Sequence, residues 1–248
     1  MKIAIKIILL MGVIGYMVFA VTKMSRDNDK RICQGTRICM EHSGGSVFVD
    51  SQFVAGLLAK ANVPIQDRPI RDIDLKSIET AIQANPYIDS VICYYTPEDM
   101  MCIRVMARTP ILHVMADNGE NYYMDAHGND MPAGCFGLDL SLATGNITKE
   151  FAREHLLGIA DYINTHIPWN KDIQQIHVRS PKHIELIPSV EGQTIVLGEP
   201  IDIEEKMQRL SAFYDECLNK AGWNKYSVIN LNYADQVVCT RKHRKHKK

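Results

Sequence analysis

One uncharged run sets the plan of this chain. From Ile7 to Val21 no residue carries a charge. As helix these fifteen residues reach about 22 Å, and extending back to Ile3 gives about 28 Å, against a hydrocarbon core of ~30 Å. Lys6 then lies inside the span near one end, where its stem carries the ammonium out to the headgroups. A cleaved export signal fits the same residues. Lys2 and Lys6 make its basic start, the apolar run its middle, and Val18-Phe19-Ala20 its small-residue cleavage site. The short head is positive and a large domain follows, which orients the chain N-in and C-out. No other stretch lacks charge for long enough to span, so a polytopic membrane protein is excluded.

Charge is unevenly spread. The 248 residues carry a net charge of -1. Residues 1–31 carry +4 and residues 241–248 carry +6, which leaves -11 on the body between them. An acidic body argues against a general nucleic-acid binder, which needs a basic stripe. Hydrophobic residues make up 46% of the chain, too many for a disordered protein. Seven cysteines suit an exported domain, but their density is too low for a disulfide scaffold, and an odd number leaves one without an intrachain mate.

Beyond a polar stretch at 23–30, the pattern predicts two domains. A strand is expected over Arg31–Met40. A helix capped by Asp50 or Ser51 carries Phe53, Val54, Leu57, Leu58 and Ala61. A second opens at Asp74, carries Leu75, Ile78 and Ile82, and stops at Asn85-Pro86. Strands Val91–Tyr95 and Met100–Ala107 flank the turn cluster Thr96-Pro97-Glu98-Asp99. The order strand, helix, helix, strand, strand is a small α+β unit. A turn centred between Pro97 and Glu98 would set Cys93 opposite Cys102, within reach of a disulfide.

The second domain starts with a hairpin, Ile111–Met115 and Tyr122–Met124 around Asp117-Asn118-Gly119. Gly128 sits where a turn calls for positive φ. Thr148 caps a helix with Phe151, His155, Leu156, Ile159, Tyr162 and Ile163. Strands are expected at Ile173–Arg179, His183–Pro188 and Gln193–Leu197. Asp202 and Glu205 resemble a capping box. The helix they open has the cleanest stripe in the chain: Ile203, Met207, Leu210, Tyr214, Cys217 and Ala221. Tyr226–Leu231 and Gln236–Thr240 close the fold, the last as an edge strand.

Motifs for chemistry are sparse. No phosphate loop, nucleophile elbow or His-Glu-x-x-His occurs. Cys33, Cys39 and His42, or Cys239, His243 and His246, fall short of a four-ligand pattern with usual spacing. Asp99, Asp125 and Asp235 read as turn residues. No cofactor is expected.

Together these landmarks resemble the FtsQ/DivIB family of bacterial cell-division proteins. The first domain is similar to a POTRA domain: Phe48-Val49-Asp50 before its first helix, Asn85-Pro86-Tyr87-Ile88 after its second, and Arg108-Thr109-Pro110 at its end. The second resembles the family's β domain in Tyr122-Tyr123-Met124-Asp125, Gly128, Met131-Pro132 and Gly145-Asn146-Ile147. Lys206, Phe213-Tyr214, Tyr226, Asn230-Leu231, Tyr233 and Gln236-Val237-Val238 continue the likeness. The resemblance implies an α+β protein laid out as a cytoplasmic head (1–6), a transmembrane helix (7–22), a linker (23–30), a POTRA-like domain (31–108), a β domain (109–240) and a basic tail (241–248). It favours an uncleaved anchor over a signal peptide.

It further implies a scaffold without enzymatic activity in the bacterial inner membrane. Its folded part would be periplasmic and sit at the septum, binding FtsB/FtsL-like coiled-coil division proteins and other membrane proteins of the divisome. The family's partner surface corresponds to Tyr233, Gln236, Val237, Val238, Cys239 and Thr240. The final strand departs from the family in carrying no aromatic after Tyr233. Two other functions fit the residues less well: a POTRA-containing assembly or transport scaffold of the envelope, and an exported enzyme using Cys135 or His127.

Overall fold

The computed structural model describes residues 10–20, 31–41, 49–61, 65–134, 138, 140–189, 192–218, 222–223 and 225–242. Residues 10–20 are helical, and the apolar side chains of Leu10, Met11, Val13, Ile14, Tyr16, Met17, Val18 and Phe19 are all exposed. No described helix is long and apolar enough to cross a membrane. The ends of the expected span, the linker, Cys135 and residues 243–248 of the tail lie outside the described residues. From there the chain divides into two compact units, one ending at Arg108 and the other starting at Thr109.

The first unit has the expected order. Strand β1 (Gly35–Glu41) precedes helix α1 (Ser51–Ala61), and a short 3-10 turn at Ile70–Asp72 leads into α2 (Leu75–Gln83). Strands β2 (Ile88–Tyr95) and β3 (Met100–Ala107) follow. The sheet order is β1-β3-β2, with β1 parallel to β3 and β2 antiparallel to it. Asp50, not Ser51, caps α1 by accepting the Phe53 amide at 2.6 Å. Asp74 caps α2 by accepting the amides of Lys76 and Ser77. Ile78 and Ile82, one turn apart on α2, are fully buried with Val54, Ile88, Met101, Ile103 and Val105.

The hairpin corrects one expectation. Asp99 adopts φ +60°, and the Thr96 amide donates to the Met100 carbonyl, so Pro97-Glu98-Asp99 forms a three-residue loop. Such a loop carries an extra left-handed residue, a role Asp tolerates. The loop centre moves to Glu98, and the register pairs Cys93 with Ile103 and Cys102 with Tyr94. Side chains alternate along a strand, so Cys93 and Cys102 point to opposite faces of the sheet. Cys93 faces the helices, where burial first, then the charges of Glu79 and Cys102, push its thiol pKa up to about 11.

The second unit is one twisted sheet with helices packed on it. Among the described residues its strand order is β12-β11-β10-β9-β8-β7-β4-β5-β6. The strands are β4 (Pro110–Ala116), β5 (Asn121–Asp125), β6 (Asp130–Pro132), β7 (Ser141–Gly145), β8 (Ile173–Ser180), β9 (His183–Pro188), β10 (Thr194–Gly198), β11 (Tyr226–Asn230) and β12 (Val238–Arg241). Parallel pairs β4–β7, β7–β8 and β10–β11 interrupt an otherwise antiparallel order. Strands β6 and β7 were absent from the sequence pattern. In β7 the buried face is Ser141, Ala143 and Gly145, which gives no apolar alternation to read.

The first helix of this unit runs through Lys149–Phe151, a π-turn at Ala152–Leu156, and Leu157–Thr165. Thr148 caps it, accepting the Phe151 amide at 3.2 Å. A short helix, Trp169–Asp172, leads into β8, and Ile203–Phe213 continues as a π-turn, Tyr214–Leu218. The expected capping box does not form. Asp202 sits at φ +51° with no side-chain cap bond, and Glu205 pairs instead with Arg209 at 3.2 Å. The π-turn also shifts the helix phase by one residue. Leu218 is fully buried in place of Cys217, which is exposed.

Candidate partner-binding edge

The candidate site is built at the end of the nine-stranded sheet. Strand β11 lies parallel to β10, with Ile229 beside Ile195 and Asn230 beside Val196. Ile229 and Leu231 are fully buried, which anchors β11 in the core. The Leu231 amide donates to the Val196 carbonyl at 2.8 Å, extending this ladder into the loop. The chain then turns through Asn232, Tyr233 and Ala234, with Asp235 at φ +57°. It returns antiparallel, pairing Val238 with Asn230, Cys239 with Ile229, and Thr240 with Val228.

Among the described residues strand β12 ends the sheet. It is shorter than expected: Gln236 and Val237 lie between the turn at Ala234-Asp235 and the strand. Two amides fix which backbone groups point outward. The Leu231 amide turns toward β10 and the Lys242 amide donates to the Lys225 carbonyl at 3.0 Å. Peptide groups alternate along a strand. The amides of Val238 and Thr240 therefore face β11, and those of Cys239 and Arg241 turn away from the sheet. An edge that presents its peptide groups this way is a template for another strand.

Side chains divide the other way. Val237 and Cys239 pack partly against the core, while Val238 (43% exposed) and Tyr233 (49% exposed) stand in solvent with Gln236 and Thr240. The Cys239 thiol pKa is raised by burial and then by neighbouring Cys217. All six expected partner residues thus lie on one loop-and-strand segment, four of them exposed. Beside the loop, Glu199, Ile201, Asp202, Glu205, Lys206, Arg209, Asn232 and Ala234 line a cleft of about 420 Å³. Sequence reading missed this cleft. Lys206 lies in its floor, 5% exposed, donating to the Glu199 carbonyl at 2.8 Å, and burial lowers its pKa.

Among the described residues no group of three or more His, Cys, Asp or Glu side chains is placed to hold a metal ion. Asp125 is buried as a turn residue, accepting the amides of His127 and Asn129 and the Asn129 side chain. His127 is exposed. His42, His243 and His246 lie outside the described residues.

The described residues thus form a small three-stranded α+β unit and a second unit built on a large mixed sheet. Residues 31–106 match the model of the POTRA-like domain. Residues 109–240 match that of the FtsQ/DivIB C-terminal related domain, more than half of the chain. The chain belongs to the FtsQ/DivIB family. None of the curated proteins compared matches it.

Proposed function

We propose that this protein is a scaffold of the bacterial division machinery, without enzymatic activity, that binds small coiled-coil membrane proteins of the FtsB/FtsL type by strand addition to β12. The observation that carries the reading is the position of β12 at the end of the sheet, inside the matched region and with the amides of Cys239 and Arg241 turned outward. Strand addition uses main-chain bonds for affinity and alternate side chains for selection. Val238 and Thr240 would offer the side chains on one face, and Tyr233 and Gln236 would flank the new strand. Their exposure supports this role, as does the family's general use of its members as scaffolds.

The same reading places the protein in the inner membrane, held by residues 7–22, with the folded units in the periplasm at the septum. The exposed apolar side chains of the helix at residues 10–20 support it. A fluorescent fusion of the full chain in dividing cells tests this placement. Midcell bands together with co-purified FtsB/FtsL-like proteins are expected. A uniform envelope signal with no such partners would refute the proposal.

A further inference from the structure

Two thiols meet on the outer face of the first sheet. Cys39 of edge strand β1 and Cys102 of central strand β3 lie with their Sγ atoms 3.1 Å apart. The parallel register pairs Arg37 with Cys102 and Cys39 with Arg104, so the two cysteines are diagonal neighbours on the face away from the helices. Cys102 is buried and Cys39 is half-buried, which leaves Cys39 as the sulfur an outside reagent meets first. Arg104 brackets the pair, bonded to the Tyr94 hydroxyl at 3.4 Å and to Glu41 at 3.4 Å. A disulfide needs about 2.05 Å between sulfurs, a closure of about 1 Å from the observed separation. The Cys39 thiol pKa is raised, first by its hydrogen bond with Cys102, then by burial and the Cys102 charge, while Arg37 and Arg104 pull it down.

We propose that Cys39 and Cys102 form a redox pair that closes to a disulfide and fastens edge strand β1 to β3. The oxidant is a disulfide, carried by a small molecule or by an exchange protein. The deprotonated Cys39 attacks one of its sulfurs, and the other leaves as a thiol. The deprotonated Cys102 then attacks the Cys39 sulfur, and the second oxidant sulfur leaves as a thiol. Two protein thiols are oxidised to one disulfide, and one oxidant disulfide is reduced to two thiols. The closed loop runs from residue 39 to residue 102 and so holds both helices and β2 within it. Such a bond removes much of the freedom of the unfolded chain. It also ties down β1, which among the described residues joins this sheet by its parallel pairing with β3.

That an oxidant reaches the pair in the cell rests on the periplasmic placement proposed above; the ability of the pair to close does not. The purified full chain in detergent is therefore reduced, then equilibrated with oxidised and reduced glutathione, and free thiols are blocked with a maleimide. It is digested with trypsin and with a protease that cuts after Glu98, between Cys93 and Cys102. The expected product is a linked pair of peptides holding Cys39 and Cys102. It should vanish in Cys39→Ser and in Cys102→Ser, and persist in Cys93→Ser. Free thiols at both positions under oxidising glutathione, or a link from Cys102 to Cys93, would overturn the proposal. The same map from cells blocked at harvest reports the compartment. A pair that is free in cells but closes in the purified protein supports the redox pair and contradicts the periplasmic placement alone.

Discussion

The side chain of Asn232 lies over Gly198, so close that a Cβ on the glycine would fall 2.0 Å from the Asn232 Oδ1. Gly198 ends β10 at φ +77°, and Asn232 opens the loop that delivers β12. The contact joins the end of one strand to the path of another. Gly198→Ala adds a left-handed L-residue and a clash at the same point. We expect a loss of about 3 kcal/mol in urea unfolding of the full chain. A loss below about 1 kcal/mol would show that the loop yields freely.

Gly145 and Gly119 separate strain from collision. Both have positive φ, +106° and +89°. A Cβ at Gly145 would sit 2.2 Å from the Val178 carbonyl oxygen of the neighbouring strand, whereas one at Gly119 meets open space. Gly119→Ala should cost about 1 kcal/mol, the backbone penalty alone. Gly145→Ala should cost at least about 2 kcal/mol more, because backbone in mid-sheet has nowhere to go. Equal losses in the two unfolding curves would contradict this account.

Leu218 and Cys217 test the π-turn. Continued as ordinary α-helix, the stripe through Leu210 and Tyr214 would bury Cys217; the extra residue in the turn buries Leu218 instead. Leu218→Ala is expected to cost about 3 kcal/mol and Cys217→Ala less than about 0.5 kcal/mol. The reverse order in thermal or urea unfolding would mean that the helix keeps its α phase.

Asp130 and Lys149 supply a pH dependence. They pair at 2.7 Å, and the Lys149 hydrogen bond is the first cause holding the Asp130 pKa below its ordinary value. A carboxylate whose pKa is lower in the folded state contributes stability above its unfolded pKa and loses it as pH falls through the folded one. Lys149 is raised by the same contact, so its share is present below its unfolded pKa and is lost at strongly alkaline pH. Asp130→Asn should therefore lower stability at neutral pH. The gap from wild type should close on acidification below the usual carboxylate range. Both side chains are partly exposed, so the gap is small and salt should narrow it. A gap that widens in acid would refute the pairing.

What the sequence made legible follows from which forces dominate locally. Asp74 and Thr148 cap their helices as read, because capping involves only residues two or three apart. Gly128 adopts φ +81° where the turn pattern asks for it. Among the described residues β12 stands at the end of the sheet order, where the uncharged run Val237-Val238-Cys239 reads as an edge strand. Two of the misses arise where a one-residue shift depends on tertiary context. Asp99 adds one residue to the hairpin loop and thereby separates Cys93 from Cys102. Tyr214–Leu218 adds one to a helix turn and exchanges Cys217 for Leu218. Strand β7 was invisible because Ser141, Ala143 and Gly145 give it neither apolar alternation nor branched side chains. Its place between β4 and β8 is set by the sheet and not by propensity. The Cys39–Cys102 contact spans 63 positions along the chain and appears only once β1 lies parallel to β3.

The central claim, partner capture on the edge of β12, is tested most directly at Cys239. Its amide turns away from the sheet, so Cys239→Pro removes an outward donor where a proline on an edge strand is tolerated. Val238→Pro instead breaks the ladder to β11 and should destabilise the second unit. Cys239→Ala keeps the backbone and controls for the thiol. Binding of purified full-length variants to a reconstituted FtsB/FtsL-type complex is measured by calorimetry, with circular dichroism for folding. Cys239→Pro should stay folded and lose at least about tenfold in affinity, the equivalent of one main-chain hydrogen bond, while Cys239→Ala binds like wild type. A folded Cys239→Pro protein that captures the complex at wild-type affinity would contradict strand addition at this edge.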